Sequence, residues 1–168
     1  LTVERLTKSY DGKGKALHDV SLSLRRGEFV TVIGPSGAGK STFLRCINRL
    51  IYASEGSIVF DGREITSMNK RQMRKARRDI GMIFQHYNLV HRATAIENVL
   101  QGRLGYLSNF RGIFGLYSEE DKRSAFELLG KMGLAEFAYQ RADQLSGGQQ
   151  QRVGIARALV QDPLLMLC

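Results

Sequence analysis

An α/β fold is expected for this 168-residue chain on three observations. The continuous apolar run "FVTVI" at 29–33 has the composition of a strand covered on both faces. It runs through "GPSGAGKST" at 34–42 into a helical pattern from Lys40, the strand–loop–helix order of a phosphate-binding loop. The run "LLMLC" at 164–168 follows a helix and reads as a further buried strand, expected beside the phosphate-loop strand. Together these predict a phosphate-loop core with an antiparallel β portion from the N-terminal third and a helical portion inserted between its strands.

The elements follow in order. Val20, Leu22 and Leu24 alternate with polar neighbours, as in a half-buried strand. "RRGE" at 25–28 turns the chain into 29–33. From Lys40 the apolar positions Phe43, Leu44, Ile47, Leu50 and Ile51 share one side of a helix. "GSIVFDG" at 56–62 is a short strand ending in an Asp-Gly turn, and "IGMIF" at 80–84 is another apolar strand. Between about 95 and 142 strand alternation is absent, and Ala125, Leu128, Leu129 and Met132 recur at helical spacing. A last helix over 149–161 stops at Asp162-Pro163, because proline cannot continue it.

Composition narrows the function classes. With 43% hydrophobic and 24% charged residues the chain is of ordinary globular type and of one-domain length. No apolar run approaches membrane-spanning length and no signal pattern opens the sequence, so a cytosolic protein is expected. The two cysteines form neither a disulfide framework nor a ligand pattern, and Cys46 is expected in the core. Of the net charge of +9, most resides in "KRQMRKARR" at 70–78, with six basic residues and no acidic one. No aromatic residues interleave with it to stack bases. A solvated helix face is therefore expected and no nucleic-acid partner, with a nearby membrane surface as the other reason for such a run.

The chemistry lies in two glycine-rich stretches. Gly34–Thr42 fits G-x-x-x-x-G-K-[ST]. Its glycines let successive N–H groups curl round a polyphosphate, Lys40 reaches the β and γ oxygens, and the Ser41 hydroxyl can ligate Mg²⁺. By itself this motif covers kinases, GTPases, helicases and transport ATPases alike. The second stretch, "LSGGQQQRVGIARALVQDP" at 145–163, opens a helix on Ser146-Gly147-Gly148. Unpaired first-turn amides without Cβ atoms suit an anion, and a serine N-cap after a flexible turn suits the same residues.

A phosphate loop followed by "LSGGQ" at 145–149 resembles the nucleotide-binding domain of ABC transporter ATPases, over the whole chain. The resemblance implies a phosphate-loop NTPase core (1–85 and 161–168) with a helical, signature-bearing subdomain (86–160). ATP and Mg²⁺ are the implied ligands. It places Tyr10, in "TKSYDG", on adenine, and Gly34, Pro35, Ser36, Gly37, Ala38, Gly39, Lys40, Ser41 and Thr42 on the phosphates. Gln85 joins Ser41 at the metal and meets the attacking water and the permease contact. Ser146, Gly147, Gly148 and Gln149 receive the nucleotide of a second subunit packed head to tail, so Lys40, Gln85, Ser146, Gly147 and Gly148 take the catalytic roles.

"ENVLQGRLGYLSNFRGIFGLYSEEDKRSAFELLGKMGLAEFAYQRADQLSGGQQQRV" is similar, further, to the ATP-binding subunit of phosphonate importers, notably in the long segment 102–117. That implies an integral membrane permease as partner, a solute-binding protein acting indirectly, and a place on the cytoplasmic face of the inner membrane. An ABC importer ATPase for another small solute (an amino acid or a phosphate ester), a soluble ABC protein and a non-catalytic nucleotide-binding module are the alternatives. In the family the last strand ends in Asp-Glu, for Mg²⁺ and as general base, and a switch histidine follows. Here that strand stops at Cys168, and His18, His86 and His91 lie in the wrong places to serve. A fragment of a longer frame, inactive alone, is expected.

Overall fold

The computed structural model describes residues 1–10 and 14–168, so Asp11 and Gly12 of the quoted "TKSYDG" lie outside the described residues. Its contacts divide the chain into two compact units, Leu1–Met73 and Arg74–Cys168.

In the first unit, β1 (Thr2–Ser9), β2 (Lys15–Ser23), β3 (Glu55–Phe60) and β4 (Arg63–Glu64) form an antiparallel sheet of order β2-β1-β3-β4. The alternation expected around Val20 and Leu22 is present in β2, and Asp61-Gly62 makes the β3–β4 turn with both residues at positive φ. β1 carries a bulge at Arg5 (φ 46), where its register with both neighbours shifts. The bulge puts Val3 and Leu6, three residues apart, into one core with Leu17, Ile58, Phe60 and Ile65. Opposite it, a Cβ on Gly56 would lie 2.5 Å from the Glu4 and Arg5 carbonyl oxygens, so only glycine fits there.

Helix α1 (Lys40–Ile47) buries Phe43, Cys46 and Ile47. Cys46 is core, as expected, and burial pushes its thiol pKa up. The helix is shorter than the apolar pattern suggested, and Leu50 is exposed. Arg49 takes the left-handed conformation (φ 51), its N–H bonded to the Cys46 carbonyl and that of Leu50 to Arg45. That is a Schellman stop built without glycine.

The expected strand at 29–33 is absent. Those residues lie outside any described strand, with Phe29 91% and Ile33 88% exposed. The run has β propensity, but a strand buried on both faces takes its conformation from ladder partners, and among the described residues none is hydrogen-bonded to it.

The second unit begins within α2 (Lys70–Ala76). Its two-stranded parallel sheet pairs β5 (Ile80–Met82) with β6 (Leu165–Leu167). The C-terminal strand therefore pairs with 80–82, whereas pairing with a strand at 29–33 was expected and is not found among the described residues, and the Ile83 N–H donates on to the Leu167 carbonyl. Helices α3 (Ala95–Leu100), α4 (Asn109–Ile113), α5 (Glu119–Lys131) and α6 (Gly147–Leu159) complete it. Ala125 and Leu129 of α5 meet Val99 of α3 and Val153 and Ala156 of α6 in one core. No helix among the described residues is long and apolar enough to cross a membrane.

The basic run is not merely a solvated face. Arg74 donates to the Leu104 and Leu107 carbonyls, at 3.2 and 2.9 Å, and Arg78 to that of Gly105 at 2.8 Å. Arg78 and Arg103 both lie over the Tyr106 ring. These cations hold the 101–107 segment, and a Cβ on Gly102 would sit 2.2 Å from the Arg157 carbonyl oxygen of α6.

Arg103 also pairs with Asp121 (Nε–Oδ1 2.7 Å), the residue that closes the capping box of α5 with Ser118. Burial pushes the Asp121 carboxyl up, but hydrogen bonds from Ser118 and Arg103 outweigh it and hold the pKa below its ordinary value. A depressed carboxylate pKa adds stability that is complete above the unfolded value, about 3.9, and is lost as pH falls through the folded value. Asp121→Asn should therefore destabilise the second unit at pH 7 and lose less than the parent on acidification to pH 3. Urea unfolding at both pH values measures this, and equal acid losses would contradict it.

Candidate functional site

The Gly34–Thr42 loop is shaped by its own backbone. Gly37 (φ 83) and Gly39 (φ 82) take left-handed conformations, and the Ala38 N–H closes a turn on the Pro35 carbonyl at 3.2 Å. Gly39 is also the N-cap of α1, and its φ reverses the chain so that the helix starts at Lys40. From that first helical position the Lys40 side chain reaches back across the loop. Its Nζ donates to the Gly34 and Pro35 carbonyls at 2.7 and 2.8 Å. The ammonium therefore lies within the curl, with the partnerless first-turn amides of α1 at its base. Ser36 and Ser41 are exposed and Thr42 is half-buried.

Tyr10 is placed beside this loop by register. Ser9 pairs with Lys15, and the carbonyl of the next residue, Ala16, lies against Gly39. Tyr10 is exposed, with Lys8 Nζ 5.0 Å from its ring centroid. Its ring is open to stack on a flat ligand at the loop.

The other predicted site residues belong to the second unit. Gln85 is exposed in the segment that follows β5. Ser146 caps α6 in a reciprocal box: its Oγ accepts from the Gln149 N–H, and Gln149 Oε1 accepts from the Ser146 N–H at 2.8 Å. The serine is thus an N-cap, and the helix mouth it opens is bare. A Cβ on Gly147 or Gly148 would meet nothing within 4 Å. Nothing inside the chain requires glycine at either position, where alanine would favour the helix by about 1 kcal/mol.

Within the first unit the exposed Ser41 hydroxyl is an oxygen donor of the hard type Mg²⁺ takes, and within the second the exposed Gln85 side-chain amide is another. Among the described residues no group of three His, Cys, Asp or Glu could hold an ion alone.

Sequence reasoning passed over Arg157. Its guanidinium, on α6, bonds the Tyr87 carbonyl and, at 2.7 Å, the Asn88 carbonyl. A single cation within a mostly apolar helix stretch, Val153 to Val160, was the signal for it.

Residues 17–168 match the ABC transporter family. The chain is 59% identical over all 168 residues to a protein of Oceanobacillus iheyensis named "Phosphonates import ATP-binding protein PhnC 2". It is 54% identical over the same length to a Lactiplantibacillus plantarum protein named "Phosphonates import ATP-binding protein PhnC". It spans 66% of the length of each. Among solved structures, the dimeric post-hydrolysis ATP-binding cassette MJ0796 bound to ADP and Pi aligns with a TM-score of 0.84 and 39% identity, over 98% of this chain and 71% of that one. A nucleotide-free ATP-binding cassette from an ABC transporter aligns at 0.81 and 32%, over 98% and 66%. The α/β phosphate-loop fold read from the sequence is the fold of these cassettes. With the loop at 34–42, the bare helix start at 146–148 and the family match covering both, the chain belongs to the ABC transporter family.

Proposed function

We propose that this chain is the ATP-binding part of a subunit that hydrolyses ATP to energise import, with phosphonates as the transported class. The observation that carries the reading is the open helix mouth at Ser146–Gly148, whose glycines answer no packing need of the chain. Two copies head to tail would bring the Lys40 loop of one to the Ser146 mouth of the other.

In this reading Tyr10 stacks on adenine, and Gly34, Pro35, Ser36, Gly37, Ala38 and Gly39 wrap the phosphates. Lys40 exchanges its bonds to the Gly34 and Pro35 carbonyls for bonds to β- and γ-phosphate oxygens, while Ser41 and Gln85 hold the metal. Mg²⁺, when bound, neutralises charge on the β and γ oxygens. Ser146, Gly147 and Gly148 of the second copy would hold the γ-phosphate as water adds to its phosphorus and the bond to the bridging β-phosphate oxygen breaks, giving ADP and inorganic phosphate with the water proton passing to phosphate or solvent. Residues 1–85 and 161–168 act as the core, and 86–160 as the subdomain that meets a membrane permease. What supports that contact is an exposed apolar group in the second unit, Phe110, Ile113, Phe114 and Leu116. A solute-binding protein would deliver substrate to the permease, and the ATPase would sit on the cytoplasmic face of the inner membrane. The use of Arg74 and Arg78 on backbone carbonyls supports the absence of a nucleic-acid partner.

The test is nucleotide-driven self-association. Sedimentation of the purified chain should show dimer with a non-hydrolysable ATP analogue and Mg²⁺, and monomer without. Gly148→Ala should remove the dimer while leaving the thermal midpoint unchanged or higher, since the new methyl meets only open space in the chain. A dimer that survives Gly148→Ala would count against the reading.

A further inference from the structure

The turn after Gln85 is held in an unusual backbone. Tyr87 (φ 56) and Asn88 (φ 46) are consecutive left-handed residues, and neither is glycine. Asparagine tolerates that region, but a bulky tyrosine rarely enters it without an outside constraint. The constraint is visible. The guanidinium of the half-buried Arg157 donates to the carbonyls of both residues, and partial burial moves its pKa down. Tyr87 also packs over Gly154, one helical turn earlier on α6. On its far side the turn leads to Val90, whose N–H and carbonyl bond the fully buried Asn98 side chain at 2.8 and 3.1 Å. Both ends are thus fixed within the second unit, and the reversal between them depends on Arg157.

We propose that Arg157 is a positioning residue, a clasp that ties the turn after Gln85 to the helix that opens on Ser146. One 13-residue helix, α6, then carries the γ-phosphate mouth at its start and the hold on the Gln85 segment near its end. A helix of that length moves as one body, so a shift of the Ser146 end is passed to Tyr87 and Asn88. The consequence for nucleotide rests on the ATP-binding reading above, whereas the clasp itself does not.

The test is Arg157→Lys in the purified chain, because one ammonium keeps the charge but loses the planar fork that spans two carbonyls. NMR-detected hydrogen exchange at the Tyr87 amide, which donates to the Phe84 carbonyl, reads the turn. It should speed at least tenfold, while the core amides of Leu129 and Val153 keep their rates. Asn88→Gly added to Arg157→Lys should bring the rate back to within about threefold of the parent, since glycine takes positive φ freely. Unchanged exchange in Arg157→Lys, or no recovery in the double variant, would overturn the clasp. Should Arg157→Lys fail to fold, Asn88→Ala asks the same question, and a rate no faster than the parent's overturns it. For the site, the ratio of ATP affinity with Mg²⁺ to that in EDTA should fall several-fold in Arg157→Lys and in Gln85→Ala, with the EDTA affinity unchanged. A role confined to packing would move both affinities or neither, and would reject positioning. A parent that binds no ATP would reject the nucleotide reading and leave the exchange result to judge the clasp.

Discussion

Lys40→Ala should lower the affinity of the chain for ATP about 100-fold, a loss of ~2.7 kcal/mol. The Lys40 ammonium is held inside the loop by the Gly34 and Pro35 carbonyls, so it is oriented before a ligand arrives. Charge-assisted hydrogen bonds contribute roughly 1.5–3 kcal/mol each, and a polyphosphate brings more than one oxygen within reach. Without the ammonium, only amide dipoles and the helix start face several negative charges. The fold should be untouched, because both carbonyls are exposed and can turn to water, and alanine suits a first helical turn. Calorimetric titration with ATP, beside circular dichroism of the variant, checks both halves. An affinity within threefold of the parent would remove Lys40 from the site.

Gly39→Ala should do the reverse and damage the fold first. A Cβ at this position would lie 2.2 Å from the Ala16 carbonyl oxygen and 3.0 Å from the Leu17 side chain. The backbone is also left-handed, which costs a non-glycine residue about 1–2 kcal/mol. Overlap with a strand carbonyl cannot be relieved by turning a side chain, so β2 or the start of α1 must move. A loss of roughly 3 kcal/mol or more is expected for the first unit. Gly37 is the control: its φ is nearly the same, but a Cβ there meets nothing within 4 Å. Gly37→Ala should therefore cost only the backbone term, about 1–2 kcal/mol. Urea denaturation of the two variants side by side measures the difference, and equal losses would refute the packing account.

Much of this molecule was legible from local pattern. The phosphate loop, the capped glycine helix at 146–148, the alternation in β2, the Asp-Gly hairpin and the α5 core positions all show in the residues alone. Each is specified by neighbours a few residues apart: a glycine where φ is positive, a cap three residues before its partner, an apolar stripe at helical spacing. Where local signals were missing or overruled, the reading failed. The end of α1 rests on Arg49 in a conformation normally marked by glycine, so the pattern ran on to Ile51. The basic run is solvent-facing as read, with Lys70, Arg71, Arg74 and Lys75 exposed, but nothing in it announces that Arg74 and Arg78 also find the carbonyls of 104–107, some thirty residues away.

The sequence by itself determined the phosphate loop, the signature helix, the helical character of the middle and, through the motif pair, the family. Only the tertiary structure decided which strands pair. The run at 29–33 is as apolar as any strand, yet it stays unpaired among the described residues, while Leu165–Leu167 lies in register with Ile80–Met82. Helices and caps are closed by hydrogen bonds within one stretch of chain and can be read there. A strand's hydrogen bonds belong to a partner distant in sequence, and so does the turn at Tyr87–Asn88, whose shape is set by an arginine about seventy residues further on.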